Sequence, residues 1–201
     1  IGPLFTDAVI NARAAIDNAV DVKTKPPMLL LSNNLAVAGT DGWLMGYLPE
    51  QQLDTLLGHA ISQGKRKFAV LAQDTVFGQR LFSHANNRLA DFGLAPEASK
   101  LLTENDLNDE NKLKTEIRLF TQYTLPVDGE TYVESPFDAV IFAGDPAFAL
   151  RTAPVLAYYD VGPDQALYLG TALWNQRQLL SEPSLQGGLF SFRPSNHDPR
   201  F

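Results

Sequence analysis

The chain has 201 residues, of which 45% are hydrophobic, enough for a real core in one large domain or two small ones. Its formal charge of -7 and isoelectric point near 4.9 argue against nucleic acid or an anionic membrane surface as a partner. Cysteine is absent, which excludes disulfides, thiolate metal sites and cysteine nucleophiles. No apolar run approaches the roughly 18 residues of a membrane span. Ile1-Gly2-Pro3 reads like the end of a strand, so a fragment or a processed chain is expected.

Residues 7–20 carry an alanine-rich helical pattern with Thr6 or Asp7 as N-cap, and Pro26-Pro27 stops it ahead of an apolar strand at 28–31. The glycine-rich passage 35–47 reads as a connection between two structural units. Pro49 suits a first helical position. Leu53, Leu56, Leu57, Ala60 and Ile61 follow at three- and four-residue spacing, and Gly64 closes the helix. A strand at 68–72 leads to a helix over 76–92 with Phe77, Leu81, Ala85, Leu89 and Phe92 on one face, ended by Gly93.

A short strand is expected at 99–102, then a solvated loop over 104–112 and a helix carrying Leu113, Ile117 and Phe120. Residues 123–136, with two prolines and a glycine, read as an exposed excursion. A strand at 138–143 feeds a helix from Pro146 to about Tyr159, interrupted or bent at Pro154, and a further strand lies at 167–169. Gly187-Gly188 and the apolar run 189–192 precede a polar tail.

Four of the strands (28–31, 68–72, 138–143 and 167–169) run into tips of small polar residues or glycine, three of them with a helical pattern following. Continuous apolar runs of this length suit strands buried on both faces, hence a doubly wound, mostly parallel sheet with helices on both faces. In such sheets the ligand crevice lies outside the carboxyl ends of the strands, where the tips gather.

Catalytic signatures are missing: there is no G-x-S-x-G elbow and no H-E-x-x-H helix. The run from Gly58 to Lys65 has one residue too many for a P-loop, and it ends a helix rather than opening one. His59, His84 and His197 are scattered without metal-ligand spacing. The strand tips carry the candidate ligand-binding residues. Asp74 and Asp145 each read as a helix cap or as a partner for a ligand ammonium, and Phe77 offers an aromatic wall. Thr6, Ser32 and Asn33 can grip a ligand carboxylate or satisfy turn backbone. Gly144 and Thr171 mark two further tips, and Trp174 is either a pocket wall or a core anchor. No catalytic residue, metal site or cofactor is assigned.

Gly2-Pro3-Leu4-Phe5 with its alanine-rich helix, Pro27-Met28-Leu29-Leu30-Leu31-Ser32-Asn33, Gly46-Tyr47-Leu48-Pro49-Glu50-Gln51-Gln52 and Asp74 with Phe77-Gly78 together resemble the middle of a type I periplasmic binding protein. Phe137-Asp138-Ala139-Val140, Leu169-Gly170-Thr171-Ala172-Leu173-Trp174 and Gly187-Gly188-Leu189-Phe190 extend the likeness over most of the chain. The 49–52 helix start and the Gly170-Thr171, Trp174, Gly187-Gly188 run most resemble the bacterial lipoproteins called penicillin-binding protein activators, relatives of the leucine/isoleucine/valine receptors of ABC transporters.

That resemblance implies two α/β lobes closing on a ligand by a hinge. Residues 1–45 would be a partial first lobe, 46–190 a largely complete second lobe, and 191–201 the start of a return crossover. It adds Phe5 to the ligand-binding set. Phe77 stands where such receptors often carry tyrosine, and Ser32-Asn33-Asn34 where they often use serine and threonine; both departures bear on how an amino acid would be gripped.

The resemblance implies a non-enzymatic periplasmic module of the activator type, regulating peptidoglycan synthesis through a peptidoglycan synthase. The alternative is a transporter receptor delivering an amino acid, branched-chain-like, or another small solute to an ABC permease. An enzyme using Asp74 and Asp145 as an acid–base pair is a third reading. Any lipid anchor would lie outside this segment.

Overall fold

The computed structural model describes residues 6–19, 27–32, 34–40, 42–125 and 134–192, in two compact units, Ile1–Gln51 and Gln52–Phe201. The smaller unit holds helix α1 (Thr6–Ala19), strand β1 (Met28–Leu30), a 3-10 turn (Leu35–Val37) and strand β2 (Gly42–Leu44). β1 and β2 pair in parallel, with Leu30 opposite Leu44. Val9, Leu30 and Val37 form its small core, with Met28 and Leu44 packed against them. β2 falls inside the passage expected to be a connection. Three residues, Gly-Trp-Leu, are too few to display the period-two alternation by which a strand is recognised.

The larger unit is built on five parallel strands: β3 (Phe68–Gln73), β4 (Ala98–Leu102), β5 (Ala139–Ala143), β6 (Leu167–Gly170) and β7 (Leu189–Phe190), in the order β4-β3-β5-β6-β7. Every residue of β5 is buried, as is all of β3 but Gln73. Alternate residues of these strands face opposite layers. Phe68, Val70, Ala139 and Ile141 pack on α2 (Pro49–Ser62) and α3 (Val76–Asp91), while Ala69, Leu71, Val140 and Phe142 pack on α5 (Glu110–Phe120) and α6 (Pro146–Tyr158). The doubly wound arrangement read from the apolar runs is therefore present, with helices on both faces. The chain passes from β3 outward to β4, then returns across β3 to β5. That reversal is the topological switch point of the sheet.

Gly64 and Gly93 sit at φ +87 and +71 past the ends of α2 and α3, the left-handed conformation their sequence positions predicted. Helix α6 continues through Pro154 rather than being interrupted there. Phe148, Ala149, Ala153 and Leu156 are buried on both sides of the proline, and together they offset the roughly 3 kcal/mol such a residue costs. The expected loop over 104–112 contains a short helix, α4 (Glu104–Asn108). Its start is set by a capping box: Asp106 Oδ2 accepts the Thr103 N–H at 2.9 Å, and Thr103 Oγ1 accepts the Asp106 N–H at 3.3 Å. Asp109 then caps α5 through the N–H groups of Asn111 and Lys112.

At the opposite end of the sheet, Asp138 Oδ2 accepts the N–H groups of Arg66 at 2.8 Å and Lys67 at 2.9 Å. It thereby pins the entry of β5 to the entry of β3. After β6 come a 3-10 turn (Ala172–Trp174), the one-turn helix α7 (Arg177–Leu180) and a second 3-10 turn (Pro183–Leu185).

Candidate functional site

Adjacent parallel strands bring their carboxyl ends to one rim. Leu102 (β4), Gln73 (β3), Ala143 (β5) and Gly170 (β6) are the last residues of neighbouring strands, so Thr103, Asp74, Gly144 and Thr171 follow one another along that edge. At the switch point a hollow of about 260 Å³ opens, lined by Asp74, Thr75, Glu104, Asn108, Asp145 and Arg151, with Gln73, Leu107, Ala147 and Phe148 completing it. Small-molecule sites begin near this size, at about 300 Å³.

Its geometry is set by a side-chain pair across β3 and β5. Gln73 Nε2 donates to Asp145 Oδ2 at 3.2 Å, and Gln73 Oε1 accepts the Asp145 N–H at 3.1 Å. Asp145 Oδ1 accepts the Phe148 N–H at 2.8 Å, so Asp145 also caps α6, ahead of Pro146. For α3 the cap is Thr75 rather than Asp74: Thr75 Oγ1 accepts the Gly78 N–H at 3.1 Å. Asp74 is still in the sheet ladder, its N–H bonded to the Leu102 carbonyl at 2.8 Å, which moves the cap one residue on. Its carboxylate, exposed at the rim, accepts from Gln79 Nε2 at 2.6 Å.

α3 approaches the strand ends closely. A Cβ at Gly78 would lie 2.0 Å from the Gln73 carbonyl oxygen and 2.8 Å from that of Ala143. Only glycine lets the helix begin there, which is the physical content of the Phe77-Gly78 pair. Phe77 itself is half-buried against Ala72, Leu81 and Ala143, with Arg80 6.0 Å over its ring, and it does not line the hollow. Gly144 lies beneath the rim with the Phe148 ring against it.

Thr171 and Trp174 belong to the next strand end and do not reach the hollow. Thr171, 4% exposed, caps the following 3-10 turn, and Gln52 Oε1 accepts the Ala172 N–H at 2.7 Å. Trp174 is 3% exposed and packs edge-on against Phe142, with centroids 5.4 Å apart, directly over Gly170. Of its two sequence readings, core anchor is the one this placement fits.

In the smaller unit, Ser32 is buried and its Oγ accepts the Asn34 N–H at 3.2 Å, while Thr6 Oγ1 accepts from Asn34 Nδ2 at 3.2 Å. Both hydroxyls thus serve the turn after β1. Phe5 and Asn33 lie outside the described residues.

Sequence reasoning missed Gln73, Glu104, Asn108 and Arg151 among the lining residues. Thr103-x-x-Asp106 was a legible start signal for α4. Nothing in the sequence pairs Gln73 with Asp145 or Arg151 with Asn108, because both contacts join elements far apart in the chain. Among the described residues no group of three or more histidine, aspartate or glutamate side chains is placed to hold a metal ion, and no helix is long and apolar enough to cross a membrane. His84 lies 2.9 Å from Asp54 Oδ1, on the outer surface of α2 and α3.

No protein-family model matches the chain, and no curated protein matches it. Solved structures do. An ABC transporter substrate-binding protein from Desulfitobacterium hafniense superposes with a TM-score of 0.63 at 16% identity, covering 99% of this chain and 53% of its own. A leucine binding protein from Thermotoga maritima gives 0.63 at 14% identity over 94% of this chain and 49% of its own. A branched-chain amino acid ABC transporter protein from Thermus thermophilus, solved with bound valine, gives 0.58 at 14% identity over 90% and 42%.

The chain spans about half the length of these proteins or less. Identities this low establish the architecture: an α/β fold of the type I periplasmic binding protein kind, of which this chain supplies part.

Proposed function

We propose that the chain is a non-enzymatic solute-binding module, part of a periplasmic receptor that holds a small amine-bearing metabolite at the carboxyl rim of its larger sheet and serves an ABC permease. One observation carries this reading. At the switch point, where ligands of open α/β sheets bind, β3 and β5 present Asp74 and Asp145 around a preformed hollow fixed by the Gln73–Asp145 pair. Carboxylates so placed suit an ammonium group.

The likeness to solute receptors supports the same reading, and supports it better than the alternative of an activator-type envelope lipoprotein acting on a peptidoglycan synthase. An acid–base role for Asp74 and Asp145 is less well supported, since Asp145 is already committed as acceptor to the Phe148 N–H and the Gln73 amide.

Titration calorimetry of the full-length protein with the twenty standard amino acids tests the proposal. Micromolar or tighter binding of one of them is the expected result. Absence of binding to all twenty, together with capture of a peptidoglycan synthase by the immobilised protein, would favour the activator instead.

A further inference from the structure

The hollow at the switch point is charged in two senses. Asp74, Glu104 and Asp145 stand where strands end and helices begin, whereas Arg151, inside α6, supplies the one cation among its lining residues. Arg151 comes six residues after Asp145 (151 − 145), about 9 Å along the helix axis. Its Nη1 donates to Asn108 Oδ1 at 2.9 Å, and Asn108 is the last residue of α4. That bond stretches the guanidinium from α6 to α4 along the side of the hollow.

Three carboxylates line the same space, yet none of the described residues forms an ion pair with Arg151. A guanidinium carries five N–H donors in a planar fork suited to a carboxylate, and here one of them is used.

We infer that Arg151 is a specificity-determining residue of this hollow, pairing with a distal carboxylate on a solute whose amine is held at the rim by Asp74 and Asp145. The inference rests on the solute-binding reading proposed above. The ligand class follows from charges held apart: the rim carboxylates on one side and, on the other, a guanidinium whose backbone is rooted about 9 Å further along α6 than Asp145. An amino dicarboxylate of the L-glutamate type places an amine and a second carboxylate several bonds apart on one small molecule. Leucine-like solutes bring no second carboxylate to Arg151, and diamines would set a cation against it.

The test is calorimetric titration of the full-length protein and its Arg151→Ala and Arg151→Lys variants with L-glutamate, its uncharged near-isostere L-glutamine, and L-leucine. Wild type is expected to bind glutamate at least tenfold more tightly than glutamine. Arg151→Ala should lower glutamate affinity tenfold or more while changing glutamine affinity less than twofold, and Arg151→Lys should recover part of the loss. Arg151 is exposed, so the melting temperature of each variant should match wild type. Equal affinity for glutamate and glutamine, or an Arg151→Ala variant that binds glutamate as wild type does, overturns the role of Arg151 and leaves the solute-binding reading standing. Binding only of standard amino acids that lack a side-chain carboxylate does the same. Failure of all twenty overturns both.

Discussion

Gln73 and Asp145 hold each other by two hydrogen bonds: the Gln73 amide nitrogen donates to the Asp145 carboxylate at 3.2 Å, and its oxygen accepts the Asp145 N–H at 3.1 Å. The pair joins the ends of β3 and β5 beyond their last ladder partners, Ala72 and Ala143. Gln73→Glu replaces the donor with a second carboxylate facing Asp145 and removes the charge-assisted bond. A loss of about 1–3 kcal/mol in unfolding free energy is expected, read from the midpoint of urea denaturation, with weaker solute binding. Gln73→Leu should lose less, because it adds no repulsion.

Two glycines in helices predict opposite outcomes. Gly78→Ala sets a methyl group against the carbonyl oxygens of Gln73 and Ala143, backbone atoms that cannot step aside, so α3 must move off the rim. A loss of about 1–3 kcal/mol or more is expected. At Gly58, inside α2, a Cβ meets nothing within 4 Å, and Gly58→Ala should gain about 0.5–1 kcal/mol. Thermal melts of the two variants beside wild type check both signs.

Asp138 ties together the entries of β3 and β5, and its contribution should depend on pH. Burial pushes its carboxyl up, but the N–H groups of Lys67 and Arg66 and the charges of Lys65 and Lys67 outweigh burial, leaving it below the ordinary carboxylate range. A carboxylate depressed in the folded state stabilises fully above its unfolded value of about 4, and that stability is lost as pH falls through the folded value. Wild type should therefore exceed Asp138→Asn in stability at pH 7, and the difference should shrink on acidification below about pH 4. Denaturation midpoints from pH 7 down to pH 3 measure it.

Thr103→Ala removes the hydroxyl half of the box that starts α4, the Thr103 Oγ1 that accepts the Asp106 N–H, and leaves the backbone half in place. About 1 kcal/mol should be lost, with faster amide hydrogen exchange across residues 104–108 and weaker solute binding through the displaced Glu104 and Asn108.

Tyr168 is fully buried, and its hydroxyl donates to the Val161 carbonyl. Burial pushes its phenol far above the usual range, with the Asp164 carboxylate adding to the effect, so it stays neutral and a donor. Tyr168→Phe leaves that carbonyl unpaired and should cost about 1–2 kcal/mol with no effect on solute binding, a useful control for the rim variants.

The central strands β3 and β5 were legible because each is an apolar run bounded by turn residues, and burial on both faces permits no polar interruption: Phe68 to Ala72 and Ala139 to Ala143 are all buried. The helices flanking them announced themselves through Leu53, Leu56, Leu57 and Ala60 and through Leu81, Ala85 and Leu89. β2 escaped because three residues carry no period. The rim was legible as a place, in Asp74 and Asp145. Its interior was not, because Gln73 and Arg151 acquire their meaning only when Asp145 and Asn108 are brought beside them from elsewhere in the chain. Trp174 shows the converse: position at a strand tip suggested a pocket wall, but Gly170 provides a bare backbone on which the indole lies flat inside the core.

The two tryptophans of the chain fall one to each compact unit, Trp43 at 57% exposure in the smaller and Trp174 at 3% in the larger. Their emission should differ in colour, red-shifted from the wetted indole and blue-shifted from the dry one. Replacing either by phenylalanine yields a single-emitter protein whose fluorescence follows one unit alone, so the melting of each half becomes separately visible in an ordinary cuvette.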